Sequence, residues 1–176
     1  MKGHEHRLAR RLGAALVGKS DQWPLTIVLP VLLTKMLLMP VVLLFSLAAS
    51  DAEISAAFED YSGTIRKIDA ALVIDSLVVA PLLETLISTV LVWLLGFKLH
   101  LPASLTACGV AFIFVPLHGL TPGALIVLPA FLIWALIQYN WMARGGGETG
   151  FKIVVASHAL ANLTALGASS LMSSLL

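Results

Sequence analysis

The sequence is poor in charged residues and almost without cysteine. Only 12% of the 176 residues are charged, against about a quarter in an average soluble domain. The single cysteine, Cys108, excludes an internal disulfide and a metal site built from several cysteines. A net charge of +1 gives no strongly basic or acidic surface, so we expect no nucleic-acid partner.

Apolar residues make up 59% of the chain instead, and they come in long blocks. Block length matters because a helix needs about 20 apolar residues to cross a bilayer. The blocks predict an all-α fold, namely a polytopic membrane helix bundle with about five transmembrane helices. The predicted spans are 25–49, 70–95, 103–120, 124–143 and a fifth that starts near Phe151.

Residues 1–23 form a basic segment in front of the predicted bundle, which covers residues 24–176. The apolar residues of this basic segment recur at helical spacing, at Leu8, Leu12, Ala15 and Leu16. We therefore expect an amphipathic helix on the lipid surface. Eight basic residues fall on the amino-terminal side of the bundle and two on the other. This imbalance predicts a multi-pass protein of a cell membrane, the bacterial inner membrane, with a cytoplasmic amino terminus.

Charged and strongly polar residues inside a span are costly and are therefore candidates for function. The predicted spans contain Lys35, Asp75, Glu84, His118, Asn140, His158 and Asn162. Glu84 follows a proline, His118 lies four residues after Phe114, and Asn162 lies four residues after His158, on the same helix face. One carboxylate, two imidazoles and one amide can activate a water and stabilise an oxyanion. For any one of them alone, the alternative is a hydrogen bond that merely links two helices.

In order and spacing, these groups resemble the CPBP family of intramembrane proteases, named for CAAX processing and bacteriocin processing. The family pattern is Glu-Glu-x-x-x-Arg, then Phe-x-x-x-His, then His-x-x-x-Asn, on successive core helices. Glu84 matches the first glutamate, Phe114 and His118 match the second motif, and His158 and Asn162 match the third.

The resemblance covers roughly residues 70–166. It implies a glutamic-type intramembrane endopeptidase that needs no cofactor and cleaves a membrane-anchored peptide or protein. Glu84 and His118 would then activate the attacking water, and His158 and Asn162 would stabilise the oxyanion.

The first motif departs from the family pattern at two positions. Thr85 stands in place of the second glutamate, and Thr89 stands in place of the arginine. At about 1.5 Å per residue, Lys35 and Glu84 lie at similar depths, so Lys35 is a candidate for the missing cation. The competing expectation for Lys35 is a deprotonated amine or a water-filled cleft. We expect Lys35, Phe114 and Thr85 to support the site.

Three alternatives use the same residues. Glu84, His118 and His158 would suit Zn²⁺, because two histidines and one carboxylate are a known catalytic ligand set. The incomplete first motif favours a catalytically inactive binding or immunity protein of the same fold. His118 and His158 would also suit a bis-His haem in a membrane electron carrier, although Glu84 then has no role.

Depth is a difficulty for all of these interpretations. Counted from the inner ends of the predicted spans at about 1.5 Å per residue, Glu84, His118 and His158 lie roughly 16, 22 and 10 Å deep. Either the predicted span ends are inaccurate or the helices are staggered.

Overall fold

The computed structural model describes Gly13 and residues 23–48, 69–118 and 127–175. These residues form five helices and no strand, which confirms the all-α class. The helices are α1 (Trp23–Ala48), α2 (Ala70–Lys98), α3 (Ala103–Leu117), α4 (Leu128–Met142) and α5 (Gly147–Leu175). Apart from Gly13 and Trp23, the predicted amphipathic segment 1–23 lies outside the described residues.

Helix α4 lies at the centre of the bundle. Its buried residues are Pro129, Ala130, Phe131, Ile133, Trp134, Ala135, Ile137 and Gln138. At 3.6 residues per turn they cover well over half of the helix circumference, and α1, α2, α3 and α5 all pack against them. A helix that is apolar on most sides belongs in the interior of a bundle.

Helix α2 is buried on one face only. Its buried residues recur every three or four positions, at Pro81, Thr85, Ser88 and Val92. The opposite face exposes large apolar side chains, namely Val78, Val79, Leu82, Leu83, Leu86, Ile87 and Val90. Only 22% of the most apolar stretch of α2 is buried inside the protein. Such an apolar face is costly in water and favourable in lipid.

Among the described residues, α2 is the one helix that is long and apolar enough to cross a membrane. Shorter apolar stretches lie at Leu25–Leu38 in α1 and over the whole of α3. The structure therefore supports one membrane-capable helix, and the other four spans remain predictions.

Two helices extend into residues that the sequence predicted as loops. Helix α2 continues through Gly96 to Lys98 in a final π-helical turn. Helix α5 begins at Gly147, and Glu148 in its first turn accepts a hydrogen bond from Lys152 one turn later, an arrangement that suits a helix start. The glycine-rich sequence suits this start, since a Cβ on Gly150 would lie 2.7 Å from the Cβ of Trp141.

A second π-helical turn, over Asp75–Val79, interrupts α2 near its start. There the N–H of Ala80 donates to the carbonyl of Asp75, five residues earlier. The next residue, Pro81, has no N–H to donate. The carbonyl of Ser76 would pair with the N–H of residue 80 in an α-helix and of residue 81 in a π-helix. Neither N–H is available, because Ala80 donates to Asp75 and Pro81 has no N–H. The Ser76 carbonyl therefore needs a side-chain partner.

Candidate active site

One carboxylate faces two imidazoles that come from two other helices. Glu84 Oε1 lies 3.4 Å from His118 Nε2, and Glu84 Oε2 lies 3.5 Å from His158 Nε2. Glu84 belongs to the middle of α2, His118 follows the last residue of α3, and His158 belongs to α5. The structure therefore brings together three residues that the predicted spans placed at different depths.

The observed helix ends account for this meeting. The predicted topology places three observed helix ends on the inner side of the membrane, namely the end of α2 at Lys98 and the starts of α3 and α5 at Ala103 and Gly147. Counted from these ends at about 1.5 Å per residue, Glu84 and His118 lie roughly 21 and 22 Å deep, and His158 lies roughly 16 Å deep. The expected mismatch thus came mainly from the two loops that are in fact helical.

His118 is oriented by the helix that precedes it. Its Nδ1 lies 3.0 Å from the carbonyl oxygen of Phe114. A carbonyl can only accept, so Nδ1 carries a proton and Nε2 of the neutral ring is an acceptor. A hydrogen bond between Nε2 and Glu84 then requires one further proton, held by either group. An imidazole and a carboxylate that share a proton can take one from water and return it.

Aromatic rings fix the positions of both histidines. The buried Phe114 ring stacks on Phe131, with centroids 3.9 Å apart, beside His118. The His158 ring stacks on Trp134, with centroids 4.2 Å apart, and meets the edge of Phe131. These contacts restrict ring rotation, so the two Nε2 atoms are held towards Glu84.

The three site residues differ in exposure. The side chains of Glu84 and His118 are 22% and 28% exposed, whereas that of His158 is 7% exposed. Within the described part of the chain, three buried atoms lack a hydrogen-bond partner: His158 Nδ1, Trp134 Nε1 and Thr85 Oγ1. Buried polar atoms of this kind are commonly satisfied by water. A reacting group would therefore reach Glu84 and His118 from the surface, with His158 beneath them.

A second polar group lies one turn along α2, where it packs on α4. Ser88 donates to the side-chain oxygen of Gln138 at 2.8 Å, and the Gln138 nitrogen donates to Thr89 Oγ1 at 3.0 Å. That nitrogen also contacts the Thr85 carbonyl at 3.3 Å, which accepts from Thr89 at 2.7 Å. These four residues form the Gln138 cluster (Gln138, Thr85, Ser88 and Thr89), and all of its groups are uncharged. The cluster includes Thr85 and Thr89, the two positions at which the sequence departs from the CPBP pattern.

Lys35 was a candidate partner of Glu84, and the described residues show no direct ion pair between the two. The described ion pairs of Glu84 are those with His118 and His158. Helix α1 packs against α4 and α5. Within the described residues, the carboxylate therefore faces two imidazoles, and an approach of Lys35 to Glu84 through water stays a prediction.

Asn162 contacts α2 at the interrupted turn. Its side-chain nitrogen donates to the carbonyl of Ser76 at 2.7 Å. This carbonyl is the one that Pro81 leaves without a main-chain donor. Asn162 follows His158 by one helical turn, so consecutive turns of α5 contact α2 at Ser76 and at Glu84.

The cofactor alternatives receive no geometric support. Among the described residues, no group of three or more His, Cys, Asp or Glu is arranged to hold a metal ion. In a bis-His haem, the Nε2 atoms of His118 and His158 would both face the iron. Here each of them faces an oxygen of Glu84.

Sequence reasoning missed three residues of this site, all on α4. Phe131, Trp134 and Gln138 recur at intervals of three and four, which places them on one helix face. The same spacing marks ordinary core packing, so it did not distinguish them from their apolar neighbours. No known family model, curated protein or solved structure matches the chain.

Proposed function

We propose that this protein is an intramembrane endopeptidase that cleaves a membrane-anchored peptide or protein with an activated water. The observation that carries the proposal is the sharing of Glu84 by His118 and His158, from three helices, at 3.4 and 3.5 Å. These contacts are longer than good hydrogen bonds of about 2.7–3.2 Å. Loose contacts of this kind are common at catalytic sites before substrate binds.

In the proposed reaction, Glu84 and His118 take a proton from water as its oxygen attacks the scissile carbonyl. The carbonyl carbon becomes tetrahedral, and the negative charge on its oxygen is stabilised by the N–H of His158. The pair then returns the proton to the leaving nitrogen as the C–N bond breaks. Over the cycle one water is consumed, and Glu84 and His118 return to their starting protonation states.

The proposed setting is a five-span protein of the cell membrane with a cytoplasmic amino terminus. The exposed apolar face of α2 supports contact with the lipid bilayer. Glu84 lies at the edge of this face, beside the exposed residues Leu83 and Ile87. A substrate held in the same bilayer would reach the carboxylate by lateral diffusion.

The test is a search for new peptide termini. Purified protein in lipid vesicles is mixed with detergent-extracted membrane proteins of its own cell, and new termini are identified by mass spectrometry. Glu84→Gln keeps the size of the side chain but removes the base, so we expect the new termini to disappear. Glu148→Gln removes an exposed carboxylate far along α5 from the site, and the termini should persist. Termini that persist with Glu84→Gln would contradict the proposal.

A second candidate is a catalytically inactive binding or immunity protein of the same fold. The Gln138 cluster favours it, because neutral groups occupy the positions of the family's second glutamate and arginine. This candidate predicts that the wild-type protein and Glu84→Gln retain the same uncut membrane protein on purification. The protease predicts that Glu84→Gln retains partners that the wild-type protein cleaves.

A further inference from the structure

The carbonyl of Ser76 is an acceptor that the main chain of α2 does not satisfy. Ala80 donates to Asp75 instead, and Pro81 has no N–H. Ser76 is only partly exposed to solvent, and a carbonyl shielded from water needs a donor, so the interrupted turn is stabilised by a donor from outside α2.

Asn162 supplies that donor at 2.7 Å. It lies one turn beyond His158 on the same face of α5, so the two side chains reach α2 together. The contact of His158 with Glu84 is 3.5 Å long, whereas the Asn162 contact is a short hydrogen bond. The shorter contact is the one that can hold the two helices in place.

We propose that Asn162 is a positioning residue, which docks α5 on the π-helical turn of α2 through the Ser76 carbonyl and so places His158 against Glu84. This inference differs from the oxyanion role implied by the family resemblance. It rests on the proposed function for its catalytic meaning, because a misplaced His158 matters only if His158 acts in the reaction.

The test is a double-mutant cycle of Asn162→Ala and Pro81→Ala. Alanine at position 81 restores an N–H, so the helix can pair the Ser76 carbonyl within its own main chain. In the wild-type background, Asn162→Ala should lower the unfolding temperature in detergent by roughly 2–10 °C. In the Pro81→Ala background, the same change should have almost no effect. Asn140→Ala on α4 is the matched control, and its effect should be equal in both backgrounds.

The second readout is the ¹⁵N chemical shift of the His158 ring in labelled protein. Asn162→Ala should move this signal towards its position in Glu84→Gln, because the ring loses its place against the carboxylate. A residue acting only as an oxyanion donor would leave the signal unchanged in the absence of substrate.

Additive losses of stability, or an unmoved His158 signal in Asn162→Ala, would overturn the inference. If Asn162→Ala alone does not accumulate as folded protein, the cycle still decides. Recovery of folded protein in the double variant is then the expected result, and continued failure would contradict it. Neither readout requires proteolysis, so this inference can fail while the endopeptidase proposal stands, and the reverse also holds.

Discussion

Two polar groups lie one turn apart on α2, and they differ in the length of their contacts and in their exposure to solvent. In the Gln138 cluster, Ser88 and Gln138 are each 1% exposed and are joined at 2.8 Å. Around Glu84, the contacts to His118 and His158 are 3.4 and 3.5 Å, and the carboxylate is 22% exposed. Both groups bridge α2 to other helices, so their positions alone do not separate them.

The difference indicates a division of roles. A buried network with short bonds stabilises the packing of two helices, and it is costly to disrupt. Ionisable groups with long contacts and partial exposure still have hydrogen-bonding capacity to offer a water or a substrate. We therefore expect changes at the Gln138 cluster to affect stability, and changes around Glu84 to affect reactivity.

The largest expected effect comes from His118→Gln. This change removes the ring that shares a proton with Glu84, so cleavage should fall by roughly 10²–10⁴-fold. The unfolding temperature should change little, because the Nε2 contact with Glu84 is long. His100→Gln, at an exposed histidine in the loop after α2, should leave cleavage unchanged. Rates of terminus formation in vesicles check both variants, and wild-type cleavage by His118→Gln would remove this residue from the reaction.

Gln138→Leu should show the opposite pattern. It leaves the Ser88 hydroxyl and the Thr85 carbonyl with fewer partners in a buried place, so unfolding should become easier by about 1–3 kcal/mol. Cleavage per folded molecule should remain close to the wild-type rate. The matched control is the neighbouring buried residue in Ile137→Leu, for which an apolar swap of equal volume costs under about 1.5 kcal/mol.

Denaturant unfolding in micelles, together with cleavage rates corrected for the folded fraction, measures both effects. A Gln138→Leu protein of unchanged stability that has lost cleavage would contradict the division of roles. It would instead place Gln138 in the reaction.

The smallest expected effect comes from Trp134→Phe. An aromatic ring still stacks on His158, and the lost indole N–H has no hydrogen-bond partner within the described residues. Stability should fall by about 1 kcal/mol, because the smaller ring leaves a small cavity at a buried position, and cleavage should change by a small factor. A loss of cleavage as large as that of His118→Gln would show that the indole N–H contacts the substrate or an ordered water.

The site residues were easier to predict from the sequence than their surroundings. Glu84, His118 and His158 could be found because polar residues are rare in apolar blocks. Their common depth in the membrane could not be predicted, because the predicted ends of α2 and α5 were wrong by a few residues. Each residue of error shifts the predicted depth by about 1.5 Å. Glycine-rich composition predicted a loop where α5 begins at Gly147, and the acidic Glu148 in the first turn was the signal that this composition obscured.

Neighbouring helices were the other gap. Lys35 and Glu84 share a depth, but depth along a helix axis does not say which helices touch. Helix α4 offered little guidance, because a helix buried on most sides has no clear apolar stripe. Gln138 was therefore overlooked, although its side-chain nitrogen donates to Thr89 Oγ1 and to the Thr85 carbonyl.

The central claim is that one carboxylate serves two imidazoles from different helices. Solid-state NMR tests it most directly, through ¹³C–¹⁵N dipolar coupling between the Glu84 carboxyl carbon and the histidine ring nitrogens in lipid vesicles. His118→Gln and His158→Gln assign the two signals. The account predicts a measurable coupling of the carboxyl carbon to both Nε2 atoms, because its two oxygens lie 3.4 and 3.5 Å from them. Coupling to only one imidazole, or to neither, would contradict it.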